Sequence, residues 1–181
     1  MARPAILAAC AVESPAVPDI IRIVPATERD VPLLHTFIRE LADYERLLQE
    51  VSATDDDLRR TLFGSMPAAE AVIAYEGDTP AGFALFFPNY STFLARPGLY
   101  LEDLFVRPSF RGRGIGRRLL GYVAALAVAR GCGRLEWRVL DWNEKAIGFY
   151  RDLGARPLDD WTEFRLTGEA LKAVAASGGP R

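Results

Sequence analysis

The sequence predicts a mixed α/β domain, in which a central mixed β-sheet carries helices on both faces. Two observations predict it. The apolar runs at residues 71–75 and 81–87 flank a turn with Gly77 and Asp78, as in an antiparallel hairpin. Later in the chain, apolar runs alternate with helical patterns, as in parallel strand and helix units.

The first half of the chain begins with a strand and two helices. Residues 20–24 predict a strand that Pro25 ends, and Thr27 or Asp30 is the expected N-cap of the helix that follows. Apolar residues at three- and four-residue spacing give this helix one buried face: Leu34, Phe37, Ile38, Leu41, Tyr44 and Leu48. A capping box at Thr54 opens a shorter second helix, and the hairpin strands come next.

The second half alternates between strands and helices. Residues 100–106 predict a strand, followed by a glycine-rich loop and a helix that Gly131 and Gly133 end. Residues 135–140 predict another strand, and Asn143 caps a helix that ends at Gly154. Residues 161–166 predict a last strand before a short C-terminal helix. The predicted sheet therefore has about six to seven strands.

Length and composition limit the kinds of protein that this chain can be. Its 181 residues predict one domain at 19–176, with a poorly ordered extension at 1–18 and a tail at 177–181. A net charge of -2 and the lack of a long apolar stretch argue against nucleic acid or a membrane as partner. With two cysteines and one histidine, we expect no disulfide framework, no metal site and a cytoplasmic location.

The most informative segment is the loop at residues 107–118, which reads RPSFRGRGIGRR. It joins a strand to a helix N-terminus, where free backbone N–H groups and the helix dipole favour an anion such as a diphosphate. The alternative is that the loop only connects two elements and that its arginines are solvated. The glycines alternate, so the spacing fits neither the dinucleotide-binding fingerprint nor a P-loop.

Two motifs carry a resemblance to a known family. Arg111-x-x-Gly114-x-Gly116 resembles the pyrophosphate-binding motif of the GNAT superfamily of acetyl-CoA-dependent N-acetyltransferases. Asn143-x-x-Ala146-x-x-Phe-Tyr150, followed by Gly-Ala, resembles the second cofactor element of that family. Within it, the stretches IRELADYE (38–45), LYLEDLFV (99–106) and WNE (142–144) most resemble the spermidine/spermine (diamine) acetyltransferases, over about residues 20–174.

The resemblance implies a GNAT fold with a splayed sheet and acetyl-CoA as cosubstrate. Backbone groups of the strand at 104–106 would bind the pantetheine arm, and backbone N–H groups of the loop would bind the pyrophosphate. The cofactor-binding residues that it implies are Leu104, Phe105, Val106, Arg111, Gly112, Arg113, Gly114, Ile115, Gly116, Arg117, Asn143, Ala146 and Tyr150. Asn143 would combine cofactor contact with helix capping.

Acetyl transfer to an amine needs a base for the ammonium proton and an acid for the departing thiolate. Glu102, at a strand end beside the loop, is the predicted base, acting directly or through water; otherwise it is a surface glutamate paired with an arginine. Tyr150 is the predicted acid, because its phenol has a reference pKa near 10. From helical spacing alone Tyr150 would be a core aromatic, and the resemblance assigns it the catalytic role.

A polyamine substrate requires acidic or aromatic groups along a groove. The candidates are Tyr44, Glu45, Glu102, Glu136 and Asp159. Asp159 matches a glutamate of the resembled family but is one methylene shorter, and Arg138 would oppose a long polycation. Both features favour a short diamine, thialysine or a lysine-like amino acid.

We therefore predict an N-acetyltransferase for a small primary amine and, by analogy with related enzymes, a homodimer. Two alternatives stay open. A protein or peptide N-acetyltransferase would need an extended peptide groove, which the Tyr44–Glu45 pair disfavours. A non-catalytic acetyl-CoA-binding module is disfavoured because Glu102 and Tyr150 are both present.

Overall fold

The computed structural model describes residues 21–178 of the chain, which divide into two compact units. The first ends at Arg138 and the second begins at Val139. The predicted extension at 1–18 and residues 179–181 of the predicted tail lie outside the described residues. Ser177 and Gly178, which we assigned to the tail, belong instead to the last helix.

The first unit contains a five-stranded mixed sheet. Its strands are β1 (Ile21–Pro25), β2 (Glu70–Glu76), β3 (Thr79–Ser91), β4 (Arg96–Val106) and β5 (Leu135–Trp137), in that spatial order. The first four pair antiparallel, and β5 is parallel to β4. Glu76 pairs with Thr79, so the predicted hairpin is confirmed.

Five α-helices occur among the described residues. In the first unit they are α1 (Val31–Tyr44), α2 (Asp55–Phe63) and α3 (Ile115–Ala129); in the second they are α4 (Glu144–Asp152) and α5 (Gly168–Gly178). Asp30 is the N-cap of α1, and Thr27 caps the short 3-10 turn Glu28–Asp30 before it. The predicted capping box of α2 is present, because Asp57 donates its backbone N–H to Thr54 Oγ1.

The helices of the first unit cover both faces of its sheet, as predicted. On one face α1 and α2 pack against alternate residues of β2, β3 and β4, among them Ile73, Phe83 and Phe105. Phe37 of α1 stacks on Phe83 with ring centroids 5.4 Å apart. On the other face, α3 packs against β3 and β4. Because successive side chains of a strand point to opposite faces, the near-continuous apolar run of β3 is explained by burial on both sides.

The prediction of six to seven strands is too high, since residues 161–166 form no strand. Trp161 and Phe164 are 74% and 90% exposed, and the segment belongs to the second unit. A strand needs a neighbour for its backbone hydrogen bonds, and the described residues 139–178 contain no other strand. The strand predicted at 135–140 is also shorter, ending at Trp137. No helix within residues 21–178 has the length and apolar character to span a bilayer.

Gly82 provides a stability test of the β3–β4 contact. A Cβ at Gly82 would collide with the carbonyl oxygen of Phe105 and lie 3.1 Å from the Cα of Val106. Both are backbone atoms, so Gly82→Ala must push the strands apart, at a cost of about 1–3 kcal/mol in the free energy of unfolding. Gly121→Ala in α3 is the matched control, since its Cβ meets nothing within 4 Å. We expect the control to stabilise the fold by about 0.5–1 kcal/mol. Equal unfolding midpoints of the two variants in urea would contradict this account.

Candidate active site

Glu102 lies at a β-bulge in β4. Leu85 of β3 pairs with Asp103, but the next residue, Phe86, pairs with Leu101, so Glu102 has no partner residue on β3. A bulge interrupts the regular alternation of side chains and re-aims the extra residue. Glu102 is exposed, although it lies between the buried Leu101 and the half-buried Asp103. The bulge therefore presents a carboxylate from the middle of the sheet to solvent.

Asp103 is the most strongly perturbed titratable group of this region. Burial raises its pKa to about 7, and the negative charges of Glu102 and Glu45 add to the increase. Burial also raises the pKa of Glu45. Glu102 on β4 and Glu45 at the end of α1 are thus both close enough to repel the charge of Asp103. Among the described residues there is no group of three or more histidine, cysteine, aspartate or glutamate side chains placed to hold a metal ion.

Asp103 is a site residue that was not predicted from the sequence. With regular alternation, the side chains of Asp103 and Glu102 would point to opposite faces of the sheet, and Asp103 would share a face with Phe105. An aspartate in such a strand is easily taken for a residue at the edge of the sheet. The available signal was a charged residue in an otherwise apolar strand. The bulge, which brings Glu102 and Asp103 into one electrostatic group, cannot be read from a single sequence.

The end of α1 holds Tyr44 and Glu45 in a defined position. Leu47 donates its backbone N–H to the carbonyl of Ala42 at 2.7 Å, and Arg46 donates to Asp43 at 3.0 Å. With Arg46 at a φ of 63°, these bonds form a Schellman motif, which normally has glycine at this position. The two predicted amine-binding residues therefore lie where the helix stops abruptly, and both are half-buried.

The loop after β4 has the backbone geometry of an anion site. Gly112 and Gly114 have φ values of 79° and 80°, in the left-handed region that favours glycine. Gly114 is the N-cap of α3, and Ile115 and Gly116 form its first turn. The N–H groups of such a turn have no partner within the helix. These residues fit a pyrophosphate group bound by backbone N–H groups at the positive end of the helix dipole.

Two arginines of the loop are engaged within the protein. Arg111 donates its Nε–H to the carbonyl of Val106 at 2.9 Å, and its guanidinium lies 4.5 Å from the centroid of the Tyr44 ring. Arg113 forms an ion pair with Glu76 and donates to the carbonyl of Ser109. Arg117 is exposed on the first turn of α3. Backbone groups, more than the side chains of Arg111 and Arg113, are thus available for an anion.

One edge of β4 has no strand along the predicted pantetheine-binding residues. Strand β5 pairs only with Leu99, Tyr100 and Leu101. Within the described part of the chain, residues 103–106 are therefore paired on the β3 side alone. Phe105 is buried in the core, while Leu104 and Val106 are half-buried. This divergence of β4 and β5 agrees with the splayed sheet that we expected.

Glu136 and Arg138, which we related to substrate length, are engaged around β5. Asn89 donates its Nδ2–H to Glu136 Oε2 at 2.7 Å, and Arg134 forms an ion pair with the same oxygen at 2.8 Å. Arg138 donates its Nε–H to the Tyr100 hydroxyl at 2.6 Å. The Glu136 carboxylate is therefore already bound by Asn89 and Arg134.

The remaining predicted site residues lie in the second unit. Asn143 is the N-cap of α4, and its Oδ1 accepts the backbone N–H of Ala146 at 3.3 Å. Tyr150 is half-buried on the same helix, with its ring centroid 5.2 Å from that of Phe149. Asp159 is exposed in the segment between α4 and α5. The predicted capping role of Asn143 is confirmed.

The chain matches the model of the acetyltransferase (GNAT) family over residues 35–155. Among solved structures, an integron cassette protein from the mobile metagenome of V. cholerae superimposes with a TM-score of 0.72 at 28% identity. The superposition covers 86% of this chain and 97% of that one. The fold predicted from the sequence is thus confirmed as a GNAT fold.

Named enzymes are similar to most of the chain. A thialysine N-epsilon-acetyltransferase from Sus scrofa is 38% identical, covering 83% of this chain and 94% of that protein. An L-ornithine N5-acetyltransferase from Arabidopsis thaliana is 37% identical, covering 84% and 87%. A spermidine/spermine N(1)-acetyltransferase-like protein from Homo sapiens is 31% identical over 87% of this chain and 24% of that protein. With its loop geometry, its splayed sheet and these relatives, the chain belongs to the GNAT family of N-acetyltransferases.

Proposed function

We propose that this enzyme transfers the acetyl group of acetyl-CoA to a primary amine of a small diamine, polyamine or lysine-like substrate. The observation that carries the proposal is the group of carboxylates at Glu45, Glu102 and Asp103, whose mutual repulsion a cationic substrate would relieve. Two members of the group lie on the strand that leads into the anion-binding loop and the third lies at the end of α1, so opposite charges are expected on the two substrates. The thialysine and ornithine acetyltransferases among the relatives act on substrates of this kind by name.

The cosubstrate site in this proposal uses the backbone of the first unit. The unpaired edge of β4 at residues 104–106 would bind the pantetheine arm by strand addition. The N–H groups from Gly112 to Arg117 would bind the pyrophosphate. The resemblance to the family also makes Asn143 and Ala146 proposed cofactor-binding residues. Acetyl-CoA supplies an activated thioester carbonyl.

Glu102 is the proposed base. A primary aliphatic amine is almost fully protonated at neutral pH, so an ammonium proton must leave before the nitrogen can form a C–N bond. Glu102 is exposed at the bulge and can accept that proton directly or through a water molecule. The same carboxylate would bind the ammonium before the transfer, with Tyr44 and Glu45 on the other side of the substrate.

Tyr150 is the proposed acid. When the C–S bond breaks, the sulfur needs a proton, and a phenol has a pKa close to that of a thiol. The nitrogen loses two protons in all, one from the ammonium to Glu102 and a second as the amide forms. One of them offsets the proton that Tyr150 gives to the sulfur, and the other is released to solvent, so the products are the amide, the CoA thiol and one H+. Tyr150 lies on α4, the helix that the Asn143 cap begins.

The size of the amine is also part of the proposal. Asp159, with its short side chain, and the cationic Arg138 favour a short diamine, thialysine or a lysine-like amino acid over a long polyamine. Glu136 is a weaker contributor, because Asn89 and Arg134 already bind its carboxylate.

The organisation of the whole protein is proposed by analogy. Residues 19–176 would form a single acetyltransferase domain, since the family match continues across both units. Related enzymes support a homodimer, and the composition supports a cytoplasmic location without nucleic acid or membrane as partner.

Removal of the Tyr150 hydroxyl tests the acid. We expect Tyr150→Phe to lower kcat at least about tenfold, because general acid catalysis contributes factors of this size or larger. The affinity for acetyl-CoA should change little, since the aromatic ring stays. The measurement is steady-state thiol release together with acetyl-CoA titration. Tyr90→Phe, an exposed tyrosine on β3, is the control. A Tyr150→Phe enzyme as fast as the control would disprove the assignment.

The pKa of Asp103 predicts how pH affects amine binding. Because its folded-state pKa of about 7 exceeds the ordinary 3.8, the contribution of Asp103 to stability is present at acidic pH and is lost as pH rises through 7. Putrescine should relieve the repulsion that then appears. We expect putrescine to raise Tm more at pH 8 than at pH 5.5, and Asp103→Asn to reduce this difference. Asp78→Asn in the exposed hairpin turn is the control. Equal thermal shifts at both pH values in the wild type would count against the carboxylate group as the amine site.

A further inference from the structure

Arg107, the residue between β4 and the loop, makes hydrogen bonds with all three nitrogens of its guanidinium. It donates Nε–H and Nη2–H to the two carboxylate oxygens of Glu40 in α1, both at 2.8 Å. Its Nη1–H donates to the carbonyl of Pro80 in the β2–β3 hairpin at 2.9 Å. The guanidinium carbon lies 4.6 Å from the centroid of the buried Phe37 ring. One side chain thus joins α1, the hairpin and the core.

The backbone of Arg107 is fixed as well. Its N–H donates to the carbonyl of Ala81 at 2.9 Å, and its carbonyl accepts the N–H of Phe110 at 2.9 Å. The second bond closes the 3-10 turn Pro108–Phe110, from which the loop continues to Arg111. The starting point and direction of the anion-binding loop are therefore set by Arg107.

The same helix face makes a second contact with the loop. Phe37, Glu40 and Tyr44 follow at spacings of three and four residues, so they lie along one face of α1. The guanidinium of Arg107 contacts the Phe37 ring and binds the Glu40 carboxylate, and the guanidinium of Arg111 contacts the Tyr44 ring. Two arginines four residues apart thus hold one helix face against the beginning of the loop.

We propose that Arg107 is a positioning residue that, through Glu40, fixes the Tyr44–Glu45 end of α1 against the loop at 111–116. It sets the spacing between the groups that bind the amine and those that bind the pyrophosphate, and in this it rests on the function proposed above. A planar guanidinium suits the role, because its fork fixes both the distance and the orientation of a carboxylate. A lysine at the same position would keep the charge and lose the orientation.

Arg107→Lys, compared with Arg130→Lys, tests the proposal. Arg130 also makes a bidentate pair, through Nη1 and Nη2 to Glu70 at 2.5 and 2.8 Å, but it follows α3, at the end far from the loop. We expect Arg107→Lys to weaken acetyl-CoA binding and to raise the KM of the amine, each at least about fivefold, since misplaced binding groups lose affinity. The kcat should fall less than about threefold, because Glu102 and Tyr150 stay intact. Arg130→Lys should lower Tm by a similar amount but leave the affinities for acetyl-CoA and for the amine unchanged.

A double-mutant cycle assigns the effect to the pair. Glu40→Gln should reproduce the change in acetyl-CoA affinity, and the variant with both substitutions should lose no more than either alone. Loss of Tm in Arg107→Lys with both affinities unchanged would show a purely structural role and overturn the proposal, as would equal affinity losses in Arg130→Lys. If the wild type binds acetyl-CoA but acetylates no small amine, the proposed function fails, while the acetyl-CoA affinities of the two lysine variants still decide the role of Arg107.

Discussion

The site depends on the unequal pairing of β4. This strand is hydrogen-bonded to β3 along most of its length, but β5 pairs only with its residues 99–101. Beyond that point the chain has a bulge at Glu102, an unpaired edge and then the glycine loop. If the pairing on both sides were continuous, Glu102 would follow the regular alternation and no backbone edge would be available to a ligand. In the function that we propose, the end of the β4–β5 pairing leaves room for both substrates.

Charge is distributed around β4 according to what each part would bind. Burial raises the pKa of Asp103, and the charges of Glu102 and Glu45 add to the increase, which suits the cationic substrate that we propose. Arg107, Arg111 and Arg113 at the loop are bound by groups of the protein itself. An anion there would meet backbone N–H groups held in place by arginines. Such a preorganised site needs little rearrangement when it binds.

Much of the fold could be predicted because local signals agreed with the final packing. The hairpin, the capping box of α2 and the Asn143 cap depend on neighbouring residues and are all present. The prediction of a strand at residues 161–166 was wrong. Alternation of apolar and polar residues indicates which face of a strand would be buried, but it does not provide a neighbouring strand to pair with. For the site, the loop was predictable from its glycines. The bulge, and with it Asp103, was not, since the register of β4 is set by long-range pairing with β3.

The most direct test of the account is thiol release from acetyl-CoA at pH 8 with purified protein and a series of amines: putrescine, spermidine, spermine, thialysine, lysine and a lysine-containing peptide. A group of carboxylates beside an anion-binding loop predicts release with the small amines, greatest for the short ones. Release with the peptide alone would identify a protein acetyltransferase. If no amine causes thiol release while acetyl-CoA still binds, the result would contradict the proposed reaction and indicate an acetyl-CoA-binding module.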